Sequence, residues 1–167
     1  MDEDKLNRLP PDVKKQFVKL ALKLSEKKTK TKVNDDFLSF VKHVWPEFIE
    51  GKHHKEIAEK FNQIARGEIK RLIINMPPRH TKSEFASFLL PSWMVGRKPD
   101  LKIIQTTHTT ELAIRFGRKA KTLMDSAEYK QVFKTRLRED SQAAGKWETE
   151  QGGEYYAAGV GSAITGR

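Results

Sequence analysis

The residues best suited to chemistry stand together at Pro77-Pro78-Arg79-His80-Thr81-Lys82-Ser83. A lysine followed by a hydroxyl residue ends the phosphate-binding pattern G-x-x-x-x-G-K-[ST]. In that pattern several backbone N–H groups converge on a β-phosphate, the lysine reaches the β- and γ-phosphates, and the hydroxyl binds Mg²⁺. Here Met76 stands where the first glycine belongs and Thr81 where the second belongs. Pro77 and Pro78 donate nothing, but each fixes φ near about −65° and presets the loop. The N–H groups of Arg79, His80, Thr81, Lys82 and Ser83 remain available, and Arg79 adds a guanidinium. Thr is β-branched and disfavoured at φ > 0. If residue 81 takes that conformation, the strain is on the order of 1–3 kcal/mol. The pattern alone leaves two readings open: a nucleotide site, or a turn before a surface helix.

A phosphate loop must lead from a buried strand into a helix, whose N-terminal dipole then faces the anion. The sequence supplies both. Residues 69 to 75, IKRLIIN, are β-branched and lie between Gly67 and Pro77, so they predict a buried strand. A helix is predicted from Lys82, with Pro91 kinking or ending it. LKIIQTT, 101 to 107, predicts a second buried strand, and a helix follows from Thr109 to Met124. Strand, helix, strand, helix in that order predicts an α/β fold with a parallel sheet flanked by helices. Upstream, helices are predicted at 11 to 25, from an N-cap at Asn34 to Trp45-Pro46, and over 53 to 66 with Gly67 as the stop. SEKKTKTKVN, 25 to 34, reads as a basic linker, which makes residues 1 to 33 a helical appendage to a domain spanning 34 to 167. Gly152-Gly153 predicts a turn between two strands.

The 167 residues suffice for one domain with a real core. No apolar run approaches the ~20 residues of a membrane span, and the acidic N-terminus is no secretory signal. Cysteine is absent, which excludes disulfides and thiolate chemistry. The net charge of +10 favours polyanionic partners. It is concentrated in residues 115 to 138, where Arg115, Arg118, Lys119, Lys121, Lys130, Lys134, Arg136 and Arg138 face only Asp125 and Glu128. That stretch is either a DNA contact, led by Arg115, Arg118, Lys119 and Lys121, or a solvated helical face.

Other constellations point to structure. His53 and His54 are adjacent, so their side chains diverge by about 100° on a helix, which suits capping or exposure better than a metal site. Thr106, Thr107, Thr109 and Thr110 follow the second strand, where hydroxyls cap the next helix or face a ligand crevice. Trp45, Trp93 and Trp147 read as packing residues, and Glu84 as a complement to the helix N-terminus.

Residues 51 to 107 resemble the ATPase half of tailed-phage terminase large subunits, the motors that pump DNA into procapsids. The run Pro77-Pro78-Arg79-His80-Thr81-Lys82-Ser83 is similar to that family's PPRHGKS loop, and Arg66-Gly67-Glu68-Ile69 to the turn before its strand. GVGSAITGR, from Gly159, resembles the stretch before the family's Walker B strand. The resemblance implies a P-loop NTPase fold that binds ATP and Mg²⁺ through residues 78 to 83. Lys82 would contact the β- and γ-phosphates, Ser83 would ligate Mg²⁺, and Arg79 would sense or stabilise the γ-phosphate. His53 and His54 would lie near the adenine. Thr81 departs from the family's glycine.

Hydrolysis also requires a Walker B carboxylate and a water-orienting glutamate after a run of apolar residues. LIIN and KIIQ are such runs and neither ends in an acid. The expectation is therefore the N-terminal portion of a motor ATPase domain, an incomplete P-loop NTPase that ends before Walker B, lacks the nuclease domain and is inactive alone. The resemblance further implies double-stranded DNA, a portal protein, a small terminase subunit and sister copies in a ring as partners. It implies action in the host cytoplasm at the procapsid vertex. A helicase-like P-loop ATPase and a non-catalytic basic DNA-binding module stay open as alternatives.

Overall fold

The computed structural model describes residues 10–161 and shows a mixed α/β fold. Helix α1 spans Pro11–Asp35, α2 Phe37–Val44 and α3 Lys52–Ala65. After the loop at 77–83, a π-helical segment, Glu84–Leu89, runs directly into α4, Leu90–Arg97. Strand β1, Lys102–Thr107, leads to α5, Thr110–Asp125, and α6, Ala127–Val132. Strands β2, Leu137–Ala143, β3, Lys146–Thr149, and β4, Glu154–Gly159, complete one sheet of order β1-β4-β3-β2.

The sheet corrects the expectation of a parallel one. Only β1 and β4 are parallel; β4, β3 and β2 form an antiparallel meander. The β3–β4 hairpin arises at Gly152, whose φ of +86° is left-handed and costs glycine nothing. Segment 69–75, predicted as a buried strand, belongs to no sheet. Its burial alternates residue by residue over 71–76, the period of an extended chain, and Ile73 is 86% exposed. Propensity and the pre-proline position of Met76 favour an extended chain there, but a strand also needs a partner. Among the described residues none pairs with it. Among the described residues β1 has a partner on one side only, and its Ile104 is 58% exposed, so there it is a half-buried edge rather than a buried strand.

Helix α5 packs on β1 and β4 and also on the π-helical segment and α4, so the core runs from the sheet through α5 to the helices before it. Phe37 is its hub, with ring centroids 5.0 Å from Phe61, 5.4 Å from Phe85 and 5.5 Å from Trp93. Trp93 and Trp147 are fully buried, and Trp45 packs on Phe48 with centroids 5.4 Å apart. Pro91 does not end its helix. The Leu90 N–H donates to the Phe85 carbonyl, five residues back, and this wider turn makes room for the proline ring.

Two boundaries also differ from expectation. The predicted linker at 25–34 is helical and continuous with the appendage, and Asp36 rather than Asn34 caps α2, accepting from the Ser39 N–H at 2.7 Å. Val33 is buried, and its carbonyl accepts from Trp93 Nε1 at 3.0 Å, which ties the end of α1 to the core. Residues 162–167, which hold most of the GVGSAITGR stretch, lie outside the described residues, as do residues 1–9. Among the described residues no helix is long and apolar enough to cross a membrane.

Candidate functional site

The loop from Pro77 to Glu84 encloses a concavity of about 510 Å³, lined by those eight residues alone. Its backbone explains the concavity. Arg79 has φ +65° and Thr81 φ +58°, the two positive-φ residues other than glycine in the described chain. Left-handed residues alternating with right-handed ones are the backbone arrangement from which anion-binding nests are built. Threonine thus occupies the conformation that glycine usually supplies.

The amides are free to act. The first helical amide to donate within the protein is that of Phe85, to the Thr81 carbonyl at 2.9 Å. Those of Arg79, His80, Thr81, Lys82 and Ser83 have no acceptor among the described residues. Five orphaned donors at a helix N-terminus, joined by a lysine, fit an anion such as a phosphate chain. Lys82 Nζ reaches back over the loop and donates to the Met76 carbonyl at 3.2 Å. His80 Nδ1 lies 2.9 Å from the Pro78 carbonyl, so this ring braces the turn. The Arg79 guanidinium is exposed and has no partner among the described residues. Ser83 begins the helix with φ −71° and ψ −36°.

Two residues from distant elements hold the loop. His54 projects from the first turn of α3. Its Nδ1 accepts the Gly51 N–H at 2.9 Å, and its Nε2 lies 2.6 Å from Thr81 Oγ1. Thr81 Oγ1 in turn donates to the His80 carbonyl at 2.7 Å. Burial, chiefly against Phe48, Phe85 and His53, holds the His54 pKa below its ordinary value. The charge of His53 adds to this, Glu50 opposes it, and His80 adds a little more. The second residue is Lys119 of α5, which is ion-paired with Glu84. Glu84 therefore complements the helix start and is also bound to a cation.

His54 is the residue that the sequence pattern missed as a loop contact. Its signal was local: with Gly51 as the N-cap of α3, His54 is the third helical residue, where a side chain reaches back to the N-cap amide. At 6% exposure it is a buried cap, and the expectation of an adenine contact gains no geometry here. His53 has a different setting. It lines a groove of about 830 Å³ between α3 and residues 72–76, with Ile57, Leu72, Ile74 and Met76.

The basic stretch divides. Lys119, Lys130 and Arg138 are ion-paired, with Glu84, Asp125, and Asp140 plus Glu148 respectively. Arg115 and Arg118 are exposed and line a shallow depression with Thr109, Glu111, Leu112 and Ile114. Lys121 is half-buried on the same helix. Thr109 caps α5, accepting from the Leu112 N–H at 3.3 Å, and Thr110 Oγ1 accepts from the Gly159 N–H at 3.2 Å. Those threonines thus do structural work.

Comparison of the chain with protein-family models, curated proteins and solved structures finds no match in any of the three.

Proposed function

We propose that this chain is the ATP-binding portion of a viral DNA-packaging motor, a terminase large subunit with a P-loop fold. The observation that carries the reading is the loop at 77–84. Five amides without acceptors among the described residues, two left-handed residues and one lysine surround a concavity at the start of a helix. The run Pro77-Pro78-Arg79-His80, by which the loop resembles that family, adds the specific identity.

In this reading the amides of residues 79 to 83 hold the β-phosphate, and the Lys82 ammonium turns from the Met76 carbonyl to the β- and γ-phosphates. The Arg79 guanidinium, without a partner among the described residues, is the one that meets the γ-phosphate. Ser83 supplies the hydroxyl for Mg²⁺, which neutralises phosphate charge when bound. Glu84 is engaged by Lys119, so it is not the carboxylate that orients water. The motor's duplex DNA would meet Arg115 and Arg118 through phosphates and without base preference. A portal protein, a small terminase subunit and sister copies in a ring would be its protein partners. The host cytoplasm at the procapsid vertex would be its place of action.

Titration with a fluorescent ATP analogue tests the reading. Mg²⁺-dependent binding that Lys82→Ala abolishes is the expected result. No analogue binding, together with salt-sensitive DNA binding that Lys82→Ala leaves unchanged, would replace the motor with a basic DNA-binding module.

A further inference from the structure

We propose that His54 is the positioning residue of this loop: through a hydrogen bond it holds Thr81 in the left-handed conformation that a glycine would adopt unaided. The inference rests on reading the loop as a phosphate site, and it explains how that site forms without its glycine.

Both ring nitrogens are committed, and the direction of each bond is fixed. The Gly51 N–H can only donate, so His54 Nδ1, 2.9 Å away, carries no proton. The ring proton therefore sits on Nε2 and points at Thr81 Oγ1, 2.6 Å away. With one lone pair taken, the Thr81 hydroxyl sends its own proton to the His80 carbonyl at 2.7 Å. The chain runs one way from amide to imidazole to hydroxyl to carbonyl. Oγ1 is bonded to the β-carbon of Thr81, so fixing it on both sides fixes the side-chain torsion of a residue whose φ is +58°. A β-branched residue persists in that region only when its surroundings over-determine it.

The imidazole is itself buried and packed against three rings. Its ring lies 4.8 Å from Phe48, 5.1 Å from Phe85 and 3.8 Å from His53. A Cβ at Gly51 would stand 2.9 Å from His53 Cε1 and at an ordinary 3.4 Å from His54 Nδ1, so it would press on His53 rather than on His54. Phe85, which packs on the ring, donates the first helical hydrogen bond to the Thr81 carbonyl. His54 therefore contacts both the loop and the turn that follows it. The charged and titratable groups around it are His53 on its own helix, His80 from the loop, and Glu50, whose carboxylate is held by Lys42 and Lys55. Burial and the two histidines favour the neutral ring that the bond pattern demands.

The decisive test is a double-mutant cycle in the full chain, because residues in contact couple whereas independent ones add. His54→Ala is expected to weaken binding of the fluorescent ATP analogue with Mg²⁺ by about tenfold in the parent. In a Thr81→Gly background, where φ +58° needs no support, the same change should cost less than twofold. Equal losses in the two backgrounds would overturn the proposal, since a purely structural His54 would show no coupling. A second readout needs no nucleotide: ¹⁵N NMR of the His54 ring at neutral pH should show the neutral form protonated on Nε2. A ring protonated on Nδ1, or on both nitrogens, would also refute it. If the parent binds no analogue, the nucleotide reading fails separately. The cycle is then read from thermal unfolding midpoints, where a smaller drop for His54→Ala in the glycine background is expected and equal drops overturn it.

Discussion

The ammonium of Lys119 lies 2.7 and 2.8 Å from the two carboxylate oxygens of Glu84, the residue that follows Ser83. Both side chains are half-buried, and the same ammonium stands 5.4 Å from the Phe88 ring centroid. One bidentate contact thus ties the basic helix α5 to the first turn after the loop. It also takes one cation out of the basic stretch and the nearest acid out of the phosphate site.

The first consequence concerns nucleic acid. Arg115 and Arg118 are exposed, whereas Lys119 is occupied by Glu84. Replacing both arginines by alanine should weaken binding to mixed-sequence duplex DNA and lower the slope of log K against log salt by about 2. Lys119→Ala should leave that slope nearly unchanged. A reduction of about 1 for Lys119→Ala would mean that the pair with Glu84 opens on DNA.

The second concerns turnover. A hydrolytic site needs an acid free to orient water. Glu84 is bound by Lys119, and Glu50 is bound by Lys42 and Lys55. The 167-residue chain should therefore bind the ATP analogue yet release no phosphate above background in a coupled assay. Phosphate release that disappears in Lys82→Ala would mean that another carboxylate completes the site.

How much of this was legible follows from which forces are local. The apolar periodicity of Phe37, Phe40 and Val41 foretold α2, and the helix after Thr109 formed with that residue as its cap. The Gly152-Gly153 turn appeared where expected because its chemistry is confined to the turn itself. Residues 25–34 misled because they lack apolar side chains before Val33, yet lysine and glutamate propagate a helix well, and the Val33 anchor lies at the far end. β2, LREDSQA, has no alternating pattern, and its pairing with β3 supplies what its own sequence lacks. The loop residues were visible as a set. The contact that holds them, from residue 54 to residue 81, crosses 27 positions and left no periodic trace.

A third prediction concerns the junction of α2 and α3. Asp36 caps α2 and also accepts from Asn62 Nδ2 at 2.9 Å, while Asn62 Oδ1 accepts from the Phe37 N–H at 2.8 Å. Burial raises the Asp36 pKa, but the hydrogen bonds from Ser39 and Asn62 and the charge of Lys32 outweigh it, leaving a value below the ordinary 3.8. The folded state thus prefers the ionised form more than the unfolded state does. That stabilisation is complete above the unfolded value and is lost as pH falls through the folded one. Asp36→Ala should cost about 1–2 kcal/mol at pH 7. The gap from the parent should narrow as pH falls below about 4. A gap in denaturation midpoints that stays constant down to pH 3 would assign the cost to lost packing instead.

The last prediction concerns segment 69–75. Its backbone forms no hydrogen bond with the described residues, and from Arg71 onward its side chains alternate between packing on the core and facing outward. β4 is flanked by β1 and β3 and buries Tyr155, Ala157 and Ala158. Exchange protection follows hydrogen bonding and burial, so the two segments should differ sharply although both are rich in strand-forming residues. Amides of residues 70–75 should exchange with deuterium at nearly the free-peptide rate, while those of 155–158 should be protected by several orders of magnitude. Adding the Mg²⁺-bound ATP analogue should slow exchange at residues 79–83, whose amides would gain acceptors, and leave 70–75 fast, because the ligand gives that segment no ladder. Strong protection of 70–75 in the free chain would mean that the segment is paired in solution with something other than the described residues 10–161. Protection that depends on protein concentration would identify a second copy as that partner.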